Sequence, residues 1–289
     1  MATVTFTTPN RVITLVEGAT IAPCHHLADK GLTDWYAGAQ AKSPINERPQ
    51  APGAFNTGTD WASSLAISIK GLYNGTNNIE AILAAEQLSA LAGGAKAVVS
   101  VQDSVRATTR RVSVRRVSIP DFGLRAAFEF TVDMIAVDPL RYGAEVSVST
   151  GIPVSGGGLL WPLGTTALEY WDWGSEGASG RVSVTNVGTA DVWPSLTASG
   201  GLAGGFVVTN VTTGQTIRFV RPIPDGSSVT INQRTGFASI DGQSDVGGFI
   251  TERGFFAIPA GETHQIQFAD LGAVSGTPQF TVTLSPGYL

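Results

Sequence analysis

The chain has 289 residues, with 18 Lys+Arg against 23 Asp+Glu and a formal net charge of −5. That balance lacks the basic surplus that binding to nucleic-acid phosphates requires. Cys24 is the only cysteine, which excludes an intramolecular disulfide and argues against a cysteine-built zinc cage.

The opening Met1–Phe6 carries neither the basic n-region nor the apolar run of a secretory signal, and no stretch approaches the ~20 apolar residues of a membrane span. Synthesis in a cytoplasm, without membrane insertion, is the expectation. Residues 34–60 are rich in Pro, Gly, Asn and Ala without a sustained period, and read as a long irregular segment. Leu65, Ile67, Ile69 and Tyr73 then alternate as a strand does. Asn77 with Glu80 resembles a capping box, and Ile79, Ile82, Leu83, Leu88 and Leu91 recur at helical spacing before Gly93-Gly94. One short amphipathic helix is predicted, its apolar stripe laid on a sheet. Val98–Val101 and Arg110–Ile119 are the next strands. In the second, the apolar phase is even at Val112 and Val114 and odd at Val117 and Ile119, which predicts a β-bulge near Arg115-Arg116.

Phe128–Met134 alternates apolar even positions with polar odd ones, and Asp138-Pro139 must end that strand because proline cannot donate to a ladder. Beyond Gly143 the chain becomes strand after short strand. The turn signals are Asn186-Val187-Gly188, Thr213-Gly214, Pro224-Asp225-Gly226, Thr235-Gly236, Asp241-Gly242, Pro259-Ala260-Gly261 and Leu271-Gly272. This punctuation argues for an antiparallel sandwich or jelly roll. The predicted fold is therefore mainly β: two β-sandwich-like domains, 1–145 and 146–289, with a single short α-helix in the first.

Only 14% of residues are charged, against about 25% in an ordinary soluble domain. Such a surface fits a chain that buries much of its exterior against other copies or partners. Residues 1–145 hold 13 Lys+Arg and 13 Asp+Glu, and residues 146–289 hold 5 and 10, so the whole net charge lies in the second half.

No catalytic, cofactor or phosphate-binding motif stands in the chain. In Cys24-His25-His26, neighbouring strand residues point to opposite faces, and His264 lies far off in sequence, so the cluster reads as structural. Arg106, Arg110, Arg111, Arg115 and Arg116 crowd one hairpin region. Bidentate guanidinium groups suit interfaces, which makes Arg110, Arg111, Arg115 and Arg116 the candidate subunit contact. Trp171 and Trp173, beside Asp172, are candidate aromatics for stacking on a sugar or for plugging a joint between domains.

Several segments, in order, resemble the distal tail protein family of siphophages. They are Arg48–Phe55, the strand and helix that follow, the basic hairpin, and Asp138-Pro139-Leu140-Arg141-Tyr142. In the second half they are Thr185–Ala190, Trp193–Thr197, Pro224-Asp225-Gly226 before Val229–Asn232, and Ile258–Glu262 before Ile266–Phe268. The resemblance implies a galectin-like second domain and a non-enzymatic virion protein of the tail tip. It further implies a homohexameric ring built from the first domain. That ring would stack on tail tube protein, hold the tail-tip hub protein below it, and provide attachment for receptor-binding or side-fibre proteins. No cofactor is implied. The alternative is a carbohydrate-binding module working through the second sandwich.

Overall fold

The computed structural model describes residues 2–9, 11–18, 22–42, 47–55, 61–92, 96–156 and 177–289. Among the described residues the chain is mainly β with one α-helix, and it divides into two compact units. The first comprises Met1–Ala144 with Tyr288–Leu289, the second Glu145–Gly287.

The first unit contains β1 (Thr3–Thr8), β2 (Arg11–Glu17), β3 (Cys24–Thr33), β4 (Leu65–Asn74), α1 (Asn78–Ser89), β5 (Lys96–Gln102), β6 (Ala107–Ser118), β7 (Ala127–Ala136) and β8 (Arg141–Tyr142). Neighbours run β8-β6-β5-β1-β2-β3-β4-β7, and β7 pairs back onto β6, so seven strands close on themselves. The length of β6 makes closure possible. Ala107–Ser113 pairs with β5 on one edge, while Val112–Ser118 pairs with β7 on the other. Every second residue of β7, from Phe128 to Ala136, points into a core shared with Val4, Phe6, Leu15, Ile67, Ile69, Val99, Val101 and Val114. Burying side chains of this size stabilises by roughly 1.5–3 kcal/mol each.

The helix departs from its predicted stripe. Ala81, Ala84, Leu88 and Leu91 are buried, whereas Ile79 is 71% exposed and Ile82 and Leu83 are also exposed. Both sets recur at helical spacing. The small set wins because alanine lets the helix backbone approach the barrel, with Leu88 and Leu91 filling the gap at its end. The cap differs by one residue as well. Asn77 Oδ1 accepts from Glu80 N at 2.9 Å, but the Glu80 carboxylate accepts from Thr76 N and Thr76 Oγ1 rather than from Asn77 N. Gly93-Gly94, the predicted stop, lies outside the described residues.

The second unit contains β9 (Val146–Thr150), β10 (Arg181–Thr185), β11 (Ser195–Leu202), β12 (Phe206–Asn210), β13 (Thr216–Phe219), β14 (Ser228–Asn232), β15 (Phe237–Ile240), β16 (Ser244–Asp245), β17 (Ile250–Arg253), β18 (Thr263–Asp270) and β19 (Val274–Leu284). Two antiparallel sheets form, β10-β18-β12-β13-β17 and β16-β15-β14-β11-β19-β9. Phe268 of the first sheet stacks on Phe280 of the second at 4.9 Å with 6° between the rings, which fixes the sandwich core. The turn signals fall between strands. At Asp241-Gly242 both residues have positive φ (50° and 67°), the geometry of a primed hairpin turn. Buried Asn186 ties two loops together, donating from Nδ2 to the carbonyls of Ala190 and Ile258 and accepting from Gly188 N. Tyr288, in β20 (Gly287–Tyr288), joins the first unit's sheet beside β8.

Candidate functional site

The arginine-bearing strand is β6. Its register against β7 slips between Val114, which faces Met134, and Arg116, which faces Asp133. Arg115 is the extra residue, as the valine phase shift predicts. A bulge re-aims the side chain it carries and increases the local twist. Arg111, Arg115 and Arg116 all lie exposed on the outside of the barrel. Among the described residues, no ion pair engages them.

Arg110 does not belong with them. It is 1% exposed and turned into the barrel, so it is withdrawn from the predicted subunit contact. Alternation decides this, because Thr108, Arg110, Val112 and Val114 share the inward face of β6. Its guanidinium donates to the Trp35 carbonyl at 2.5 Å and the Pro139 carbonyl at 2.6 Å, and lies 5.0 Å from the centre of the buried Trp35 ring. Burial and the nearby Arg141 lower its pKa to about 10, partly opposed by Asp138.

The segment 138–142 organises this end of the unit. Asp138 accepts from Leu140 N and from the Tyr142 hydroxyl, and Tyr142 faces Thr109 of β6. Arg141 lies over the Tyr36 ring at 4.9 Å and donates to Leu289 O at 2.5 Å, while Arg106 lies over the Tyr288 ring at 4.3 Å. Two of the five crowded arginines thus have intramolecular roles. Tyr288, Trp35 and the exposed face of α1 were missed by sequence reasoning. Trp35 carried one usable signal, as a large aromatic inside an otherwise featureless segment.

Cys24, His25 and His26 occupy the start of β3 as alternation requires. Cys24 Sγ and His26 Nε2 are 3.1 Å apart on one face, and His25 packs against Tyr73 and Phe130 at 4.9 and 6.0 Å. Burial, then the neighbouring His26, pushes the His25 pKa down. In the second unit His264 is buried between Asn210 Nδ2 and the Glu262 carboxylate. The amide can only donate, so Nδ1 accepts and Nε2 carries the proton towards Glu262. Among the described residues, no group of three His, Cys, Asp or Glu is placed to hold a metal ion. No helix among them is long and apolar enough to cross a membrane. Trp171 and Trp173 lie outside the described residues.

No protein-family model matches the chain, and no curated protein matches it in sequence. Solved structures do match. The SPP1 Dit (gp 19.1) protein, a paradigm of the hub adsorption apparatus in phages infecting Gram-positive bacteria, aligns over 98% of both chains at 10% identity with a TM-score of 0.63. Chains of the phage P2 baseplate in its activated conformation, with Ca and with Sr, align over 98% of both chains at 13% identity, with TM-scores of 0.54 and 0.53. The chain has the fold of these phage tail proteins along nearly its whole length.

Proposed function

We propose that the protein is a structural, non-enzymatic subunit of a long non-contractile phage tail tip. In this reading, residues 1–145 form the ring of a homohexamer and residues 146–289 form a galectin-like sandwich projecting from it. The ring joins the tail tube protein to the tail-tip hub protein and gives receptor-binding proteins a platform. The observation that carries the reading is the alignment over 98% of SPP1 Dit at a TM-score of 0.63. Two features of the first unit fit it. Arg111, Arg115 and Arg116 stand exposed on one strand, and α1 presents Ile79, Ile82 and Leu83 to the outside. A cyclic ring repeats one heterologous interface, so such unlike patches can meet their complements on the next copy.

Mass photometry of the purified full chain, with cryo-EM of virions, tests the proposal. Hexamers in solution or a six-fold ring at the tail tip are the expected result. A strict monomer in both settings overturns it.

A further inference from the structure

One end of the first unit's barrel gathers buried donors that lack acceptors. Among the described residues, six buried side-chain nitrogen or oxygen atoms have no hydrogen-bond partner, and four of them belong to Trp35, Thr108, Arg110 and Arg141. These four residues are neighbours. Thr108 and Arg110 are consecutive inward positions of β6, and the Arg110 guanidinium lies 5.0 Å from the centre of the Trp35 ring. Arg141 is near enough for its charge to act on Arg110. Trp35 and Thr108 are 0% exposed and Arg110 is 1% exposed, so bulk solvent does not reach the orphan atoms of these three. Trp35 Nε1, Arg110 Nε and Arg141 Nε carry N–H groups that can only donate, and the Thr108 hydroxyl can donate as well.

Donors left together without acceptors, beside a buried cation, point to one missing partner that is negative and accepts only. A buried charge is costly unless it is paired. The carboxylate of this region, Asp138, accepts from Leu140 N and the Tyr142 hydroxyl, and it offsets only part of what burial and Arg141 do to Arg110. Water meets the need poorly. It must place its own two protons on acceptors, and the nearby Trp35 and Pro139 carbonyls already accept from Arg110. Sulfate and phosphate carry a bulky shell of oxygens, and the indole of Trp35 seals this end. A halide is a small sphere that accepts from donors arriving in unrelated directions, and its single charge costs less to bury than a double one. From this we infer that the barrel end binds a monatomic anion of the chloride class, held by the Nε–H of Arg110, the indole N–H of Trp35 and the hydroxyl of Thr108. Arg141 adds a second positive charge to the same end. Bound there, the ion joins the segment that carries Trp35 to β6. The inference concerns the interior of the first unit and is independent of ring formation.

Differential scanning calorimetry of the full chain tests it, with the protein dialysed into sodium gluconate and titrated with sodium chloride at constant ionic strength. Gluconate is too bulky for the sealed site. Over about 1–100 mM chloride, the melting temperature of the first unit should rise by a few degrees, following the curve of one saturable site. Bromide should act in the same way. Thr108→Val and Trp35→Phe each remove one donor while nearly keeping the shape, and both should lose most of the rise. Arg111→Ala, on the outer face of the same strand, should keep it. Circular dichroism checks folding, and either donor variant serves if the other is unfolded. Crystals grown in sodium bromide give an independent reading, with an anomalous peak expected beside Arg110 Nε. Equal melting temperatures in chloride and gluconate overturn the inference. A rise that persists in the folded donor variants overturns it too, as does density beside Arg110 Nε without an anomalous signal, which would be a water.

Discussion

The guanidinium of Arg110 donates to the backbone carbonyl of Trp35 and lies against the same residue's indole ring, so a charged side chain and an aromatic one pin each other inside a closed barrel. Among the described residues no carboxylate accepts a hydrogen bond from it; two carbonyls from distant segments hold the cation instead. Arg110→Ala leaves the buried Trp35 carbonyl unpaired and takes the donor from the part-buried Pro139 carbonyl, at a cost of about 3 kcal/mol. Arg110→Lys can satisfy only part of the fork and should fall between that variant and the wild type. Urea titration of the three proteins gives the order, and an unchanged midpoint for Arg110→Ala would remove the pin from this account.

Arg115 and Arg116 carry the opposite expectation. Both are exposed at the bulge, so replacing both with Ala should leave the melting temperature within about 2 °C of wild type, as surface substitutions do. The effect should appear in assembly. A pair buried at a subunit contact loses roughly 2–5 kcal/mol when one partner is truncated, against about 0–1 kcal/mol for a pair that stays in solvent. If the proposed hexamer forms, mass photometry should show it depleted in the double variant at concentrations where the wild type is assembled. Normal assembly by the double variant would make these arginines a solvated surface.

The buried His25 should make the first unit lose stability in acid. Burial pushes its pKa below the ordinary 6.5, so between the folded and unfolded values the unfolded chain binds the extra proton. This contribution is fully present above pH 6.5 and is lost as pH falls through that window. His25→Phe keeps a ring against Tyr73 and Phe130 while removing the titration. The variant should therefore lose less melting temperature than wild type between pH 7.5 and pH 5. Parallel losses would place the acid sensitivity elsewhere.

Removing residues 288–289 deletes the buried Tyr288 ring from over Arg106 and the carbonyl that Arg141 holds. Lost apolar area and ring contact together amount to about 2 kcal/mol. The truncated chain should melt a few degrees lower in its first unit, whereas a fragment spanning 145–287 should keep its own melting temperature. Differential scanning calorimetry resolves the two transitions. Equal losses in both would mean that the units do not fold independently.

Local rules made much of this molecule readable. Alternation in β7, the phase slip at Arg115 and the turn residues of the second unit each depend on neighbours in sequence, and each reads directly as structure. The face of α1 did not, because two stripes of equal period competed and only the distance to the barrel chose between them. Arg110 was misplaced for a related reason. Five arginines in eleven residues look like one surface, yet alternation sends one of them inward, where a tryptophan 75 residues away receives it.

The placement of Tyr288 also sets a timetable. Arg141 finds its acceptor 148 positions further along the chain, so the first unit cannot complete its sheet while the second is still being made. At about 5–20 residues per second, translation of that stretch takes on the order of ten seconds. For that interval the β8 edge of the nascent barrel remains unpaired, although everything else it needs has left the ribosome. Assembly into any larger structure is thereby biased to follow, and not to precede, synthesis of residues 288 and 289.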